Sequence, residues 1–337
     1  MKQNLRRVLV VMLLGVALYG AFAVYRGVDK MEGVLRTYGW WSFAAACALA
    51  FGNYVLRFLK WEFYLARLSI RGVPKLDSFL TFLSGFVLTV TPGKVGEVFK
   101  SLVLHETYGV PIAKTAPIVI AERVTDLIGI IVLIVIGSLG FTGGLLWAGI
   151  GAFLVTSLIV VIASRSLSMA IIGMVEKMPG KLGKIGPKLH ASYDSLATML
   201  KPANLVWPTL VSIVAWSLEC LSLWVILQGF GQSTSVALCM FFYATSTLAG
   251  ALVPVPGGLG VTEGALQEQL MNLGKVPETA STAAMILVRF ATLWFAVLVG
   301  FVALSILKRR HPGLLATNAT PSAAADAKPG AVSDASP

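Results

Sequence analysis

The sequence predicts an all-α polytopic membrane protein, with about six full spans and two re-entrant helical hairpins arranged as an inverted repeat. Three observations carry this reading: scarce charge, apolar runs of spanning length, and two Pro-Gly-x-x-Gly segments at corresponding places. Of 337 residues, 56% are hydrophobic and 13% charged, with a mean hydropathy of +0.80. Soluble domains carry about 25% charged residues. The apolar residues gather into runs at Val8–Tyr25, Trp40–Leu59, Leu127–Leu139, Leu145–Ala163, Leu205–Leu227 and Thr282–Leu307. Several reach the roughly 20 residues that cross a hydrocarbon core. The first run exceeds the roughly 7–15 residues of a signal-peptide core, and no A-x-A site follows Tyr25, so a retained span is expected.

The formal charge of +11 does not point to nucleic acid. Lys and Arg cluster between the apolar runs, as in loops facing an anionic cytoplasmic leaflet, and aromatic–basic interleaving is missing. Lys2, Arg6 and Arg7 set the amino terminus inside; Lys60, Arg67, Arg71 and Lys75 do the same after the second span. The stretch 165–204, with six Lys and Arg, and the closing Lys308, Arg309 and Arg310 complete a cytoplasmic set. Both termini are therefore expected in the cytoplasm of a cell (inner) membrane protein. Cys47, Cys220 and Cys239 all lie in apolar stretches and read as inert buried thiols.

Between Lys75 and Ile118 the chain must return to the side it left, yet 76–91 and 95–104 are short for two crossings. A hairpin turning at Pro92–Gly93 satisfies both conditions. Residues 236–273 make a second hairpin of opposite sense, turning at Pro256–Gly258. Two halves result, about 40–140 and 205–307, joined by the basic loop 165–204 within a transmembrane domain 1–311; the Ala/Ser/Pro-rich tail 312–337 is expected to be disordered. The tips align Pro92, Gly93 and Gly96 with Pro256, Gly257 and Gly260. A glutamate follows each, Glu97 and Glu263, and an arginine lies in each next span, Arg123 at 31 residues after Pro92 and Arg289 at 33 after Pro256. Inverted repeats with broken helices are a transporter architecture.

Ionisable residues inside hydrocarbon are costly, which makes each a candidate for function. The set is Lys94, Glu97, Lys100, Glu122, Arg123, Asp126, Glu219, Glu263 and Arg289, with Arg57 close to it at the inner end of the second span. Glu97 with Lys100, and Arg123 with Asp126, stand at pairing distance along a helix. Charge pairs that only hold helices together would look the same, and that reading stands at even weight for Glu122, Asp126 and Glu219. The tips Gly93, Gly96, Gly257, Gly258 and Gly260, with Lys94, would present backbone N–H groups and positive helix ends to a phosphate or carboxylate. Glycines that merely permit tight turns and close packing are the plainer alternative. Lys60 and Trp61 read as interfacial side chains snorkelling to the surface.

The strings Tyr54–Trp61, Pro92–Lys100, Glu122–Asp126, Trp216–Glu219 and Pro256–Glu263 resemble the flippase-like family, the membrane region of lysylphosphatidylglycerol synthases. The resemblance covers roughly residues 5–310. It implies handling of a membrane lipid or lipid-linked anionic substrate, moved between leaflets. It does not imply the aminoacyl transfer reaction, which a separate soluble domain performs in the synthases. No His-Glu-x-x-His or Gly-x-Ser-x-Gly motif suggests an enzyme, and no cofactor is expected. A non-transporting scaffold for a separately encoded lipid-modifying enzyme is the alternative, and such an enzyme would then be the partner.

Overall fold

In the computed structural model the described residues are 28–91, 97–141, 198–253 and 255–315, with a few positions between 146 and 196. The predicted first span 8–25, most of 145–163 and of the loop 165–204, the tip residues Pro92, Gly93, Lys94 and Gly96, and the tail beyond Leu315 lie outside them. Every regular element among the described residues is helical. In chain order these are α1 (Val28–Arg36), α2 (Trp40–Arg67), α3 (Lys75–Ser84, continued by a 3-10 turn Gly85–Leu88), α4 (Phe99–Tyr108) and α5 (Ile112–Ser138). The second half supplies α6 (Pro202–Gly229), α7 (Val236–Leu252), a 3-10 turn Pro256–Gly258, α8 (Val261–Asn272), α9 (Glu278–Arg289), a π-helical stretch Phe290–Trp294 and α10 (Phe295–Arg310).

Three of these stretches are long and apolar enough to cross a membrane among the described residues: Trp40–Arg67, Ala203–Gly229 and Glu278–Arg310. Helix α5, with 27 residues, has the length but carries Glu122, Arg123 and Asp126 in mid-helix. At 17 and 12 residues, α7 and α8 fall short of a crossing, as do α3 and α4 at 10 each.

Helix α2 buries a ladder of small residues, Ser42, Ala46 and Ala50, one turn apart. Such a stripe lets another backbone approach closely where hydrocarbon offers no hydrophobic drive. Helix α6 packs along it, tied by Asn53 Nδ2 donating to the Ala215 carbonyl at 2.8 Å and Ser222 Oγ to the Ala46 carbonyl at 3.1 Å.

Two further packings are reciprocal. Helix α3 of the first half lies against α10, the last helix of the second; α7 of the second lies against α5, the last long helix of the first. Two apolar cores follow this exchange. One joins Leu133 of α5, Leu223 of α6, Phe242 of α7 and Leu266 of α8. The other joins Trp61 of α2, Phe82 of α3, Leu104 of α4 and Leu304 of α10.

At one end of the second core, Asp77 is a buried junction. Arg310 Nε donates to its Oδ1 at 2.6 Å, His311 Nε2 lies 2.8 Å from Oδ2, and Tyr108 Oη donates to the same oxygen. The chain beyond α10 turns back and buries Leu314, while Leu315 N–H donates to Glu106 at 2.9 Å. Residues 312–315 are therefore docked, where the sequence suggested that the disordered tail begins.

Candidate functional site

Helix α2 turns a polar face inward past its small-residue stripe. Lys60 is fully buried, and its Nζ donates to Asp126 Oδ1 at 2.6 Å, Ser212 Oγ at 2.6 Å and Thr125 Oγ1 at 3.0 Å. This overturns the snorkelling expectation: an ammonium so enclosed needs every proton satisfied, and α5 and α6 provide the acceptors. Trp61 is equally buried, with Nε1 donating to Ser78 Oγ at 3.2 Å. Three residues before Lys60, Arg57 faces Glu97 at 3.7 Å and Asp126 at 3.8 Å, with its guanidinium 5.4 Å from the centroid of the Phe86 ring. Nε and Nη2 of Arg57 are buried without a hydrogen bond among the described residues.

The intrahelical pairings that sequence spacing offers give way to contacts between elements. Glu97 pairs with Arg123 of α5, not Lys100. Lys100 pairs with Glu122 and lies 4.7 Å from the Trp61 ring centroid. Asp126 takes Lys60. A buried charge selects the partner that its own fold encloses with it, and i,i+3 neighbours on a helix surface have no such advantage.

The second half repeats the glutamate–arginine link. Arg289 Nε donates to Glu263 Oε1 at 2.6 Å, and Nη2 to the Gly257 carbonyl at 2.8 Å. Glu263 in turn accepts the Gly260 N–H at 2.7 Å on Oε2. Gly257, Gly258 and Gly260 have φ of +62°, +68° and +85°, left-handed values that disfavour any side chain. They let the chain reverse while α8 starts directly after. Two N–H groups of this tip are already engaged: Gly260 N–H is held by Glu263, and Gly258 N–H donates to the Val255 carbonyl at 3.2 Å. A Cβ built on Gly257 would lie 3.6 Å from Val90 Cα, so this tip abuts the chain two residues before Pro92. Glu219 accepts the Tyr243 hydroxyl at 2.8 Å on Oε2.

Two neighbouring cavities open between these groups. The larger, of about 280 Å³, is lined by Arg123, Asp126, Gly257, Gly258 and Arg289 among others. The smaller, of about 50 Å³, is lined by Arg57, Glu97, Glu219, Tyr243 and Arg289 among others. Trp216, Thr247, Arg289 and Leu293 wall both. Directly after Arg289 the helix widens into its π turn, a feature that recurs at functional sites. The Thr292 carbonyl inside it accepts the Tyr54 hydroxyl at 2.9 Å.

Among the described residues, Arg57, Lys60, Lys100, Arg123 and Arg289 thus face Glu97, Glu122, Asp126, Glu219 and Glu263, a balanced charge set. Arg57, Glu97, Glu219 and Arg289 converge on the smaller cavity, and Arg123, Asp126 and Arg289 on the larger. Lys100 and Glu122 stand behind them as a buried pair. Gly93, Lys94 and Gly96 lie outside the described residues. Lys60 is the member that sequence reasoning missed.

This arrangement defines an integral membrane protein whose halves each aim a glutamate-held arginine at a common cavity. The chain belongs to the family of the lysylphosphatidylglycerol synthase TM region, which matches residues 7–300. It is similar to a UPF0104 membrane protein of Methanothermobacter thermautotrophicus, 25% identical over 88% of this chain and 94% of the relative. A UPF0104 membrane protein of Methanocaldococcus jannaschii is 23% identical over 92% of this chain and 97% of its own length.

Proposed function

We propose that this protein moves a phospholipid or other lipid-linked anionic substrate between membrane leaflets, receiving the headgroup in the cavity between Arg123 and Arg289. The carrying observation is the doubled link, Glu97–Arg123 and Glu263–Arg289, beside a cavity that both arginines line. A guanidinium offers a planar fork suited to phosphate. In the empty state the glutamates hold the forks; a headgroup enters by taking one over. Arg57, already between two carboxylates at nearly 4 Å, is placed to receive the charge that is released. A balanced set keeps the empty protein tolerable in hydrocarbon, where lone charge is penalised. The reciprocal packing of α3 on α10 and α7 on α5 supports an inverted repeat with two re-entrant hairpins, whose rocking would alternate access. Charge asymmetry supports a cell-membrane location with both termini cytoplasmic.

The test is translocation of fluorescent phosphatidylglycerol in proteoliposomes. Arg289→Lys, Glu97→Gln/Arg123→Gln and Glu263→Gln/Arg289→Gln should each insert and fold yet lose movement. Removing both members of a buried pair is usually tolerated structurally. Wild-type translocation by well-folded double variants would overturn the headgroup role.

A further inference from the structure

Beside the larger cavity lies an apolar groove of about 460 Å³, lined by residues of α5, α7 and α8 together with Ile150 and Leu154. The two spaces share Leu248 and Leu252 as walls. One side of the groove is built from Ile131 and Ile134 of α5, both buried, and Phe241 of α7. Near Phe241 the groove is closed, because Gly137 brings α5 so near α7 that an added Cβ would stand 2.6 Å from the Phe241 nitrogen. At the other end Leu252 is 77% exposed, so the groove opens sideways where it meets the charged cavity.

We infer that this groove binds one hydrocarbon chain of the lipid whose headgroup enters the Arg123/Arg289 cavity. The inference rests on that reading of the cavity and extends it to a tail site. The polar groups beside the groove identify the class of occupant. Gln269 could serve a polar ligand, yet its Oε1 accepts the Thr245 hydroxyl at 2.8 Å, and its Nε2 donates to Ser246 Oγ and the Ala265 carbonyl, each at 3.0 Å. Thr245 Oγ1 also lies 2.6 Å from the Phe241 carbonyl, and its one proton serves one or other acceptor. With both Gln269 amide protons engaged, the wall among the described residues is hydrocarbon apart from the Thr245–Gln269 contact. The walls shared with the cavity point to which hydrocarbon: a chain lying along α7 with its end at Leu248 and Leu252 has its polar end beside Arg123 and Arg289. A lipid held this way stays partly in protein as its headgroup moves.

The experiment uses the full chain in phosphatidylcholine vesicles. Phosphatidylglycerol with a diazirine near the end of one acyl chain is photolysed, and labelled residues are mapped. Diacylglycerol carrying the same labelled chain serves as the comparison. Ala249→Phe and Ala265→Phe each fill the groove at a different wall. Labelling should fall on α5 and α7 residues of the groove, drop about tenfold in either filled variant, and be weak with diacylglycerol. Labelling spread over the protein periphery, or unchanged in a variant that keeps its thermal stability, would overturn the groove. Equal labelling by diacylglycerol would also overturn it, as an unselective lipid site. In parallel, stabilisation against heat by soluble glycerol phosphate reports the cavity alone. Its presence with scattered labelling refutes only the tail site; its absence, with both lipids labelling alike, refutes the headgroup reading as well.

Discussion

Lys60 Nζ stands 2.6 Å from Asp126 Oδ1, in a pocket where neither side chain meets solvent appreciably. Lys60→Met takes the closest cation from Asp126, leaving the Ser212 hydroxyl at 2.9 Å and Arg57 at 3.8 Å. Stability should fall by about 3–5 kcal/mol, the usual cost of stranding a buried charge. Lys60→Met/Asp126→Leu should recover the larger part. Thermal unfolding in detergent micelles measures both, and an unaltered Lys60→Met would contradict the enclosure.

Val90 and Gly257 provide a distance test of how the segments preceding Pro92 and around Pro256 meet. In a background with Cys47, Cys220 and Cys239 replaced, Val90→Cys/Gly257→Cys should oxidise to an intramolecular disulfide. A Cβ on Gly257 would lie 3.5 Å from Val90 Cγ1, within bonding reach. The left-handed backbone at Gly257 adds a penalty of about 1–2 kcal/mol for the new side chain. Failure to cross-link in folded protein would separate the tips.

The Asp77 junction makes stability depend on pH. Burial alone would raise the Asp77 carboxyl, but hydrogen bonds from Tyr108, His311 and Arg310 outweigh it and hold the group below the usual carboxylate range. Its contribution is therefore complete above the unfolded value of roughly 4 and lost as pH falls through the lower folded value. Tyr108 moves the other way, pushed up to about 12 by burial and by Asp77. Its contribution is present below the unfolded value of about 10 and lost as pH rises through the folded one. Melting temperature should form a plateau between these limits, and Asp77→Asn should flatten the acid edge. An acid edge of the same depth in Asp77→Asn would assign the effect elsewhere.

Membrane orientation is open to labelling. Gly231 and Lys275 are exposed at turns following α6 and α8. Cysteine at either position should react with an impermeant maleimide from outside intact cells, while cysteine at Lys184 should react only after permeabilisation. Outside labelling at residue 184 would reverse the orientation.

What could be read from sequence divides along chain separation. The Glu97–Arg123 and Glu263–Arg289 correspondence was visible because it repeats at nearly equal spacing after two similar tips. The segment limits 236–273 match the outer ends of the short helices α7 and α8. Lys60 was not legible: beside Trp61 at the end of an apolar run, a lysine resembles an interfacial anchor. Its acceptors sit 65, 66 and 152 residues away, on α5 and α6. Nor was Asp77, one polar residue among several at the start of α3. Its role depends on Tyr108, 31 residues on, and on Arg310 and His311, 233 and 234 residues on.

That last separation has a consequence for synthesis. Helix α3 leaves the ribosome more than two hundred residues before α10, the helix that covers it. At about 5–20 residues per second, α3 waits on the order of 10–50 s for its partner. Throughout that interval its apolar flank lacks α10, and Asp77 has Tyr108 within reach but neither Arg310 nor His311. The nascent chain therefore needs a holding partner, lipid or an insertion factor, and loss of Arg310 would prolong the stage most open to degradation.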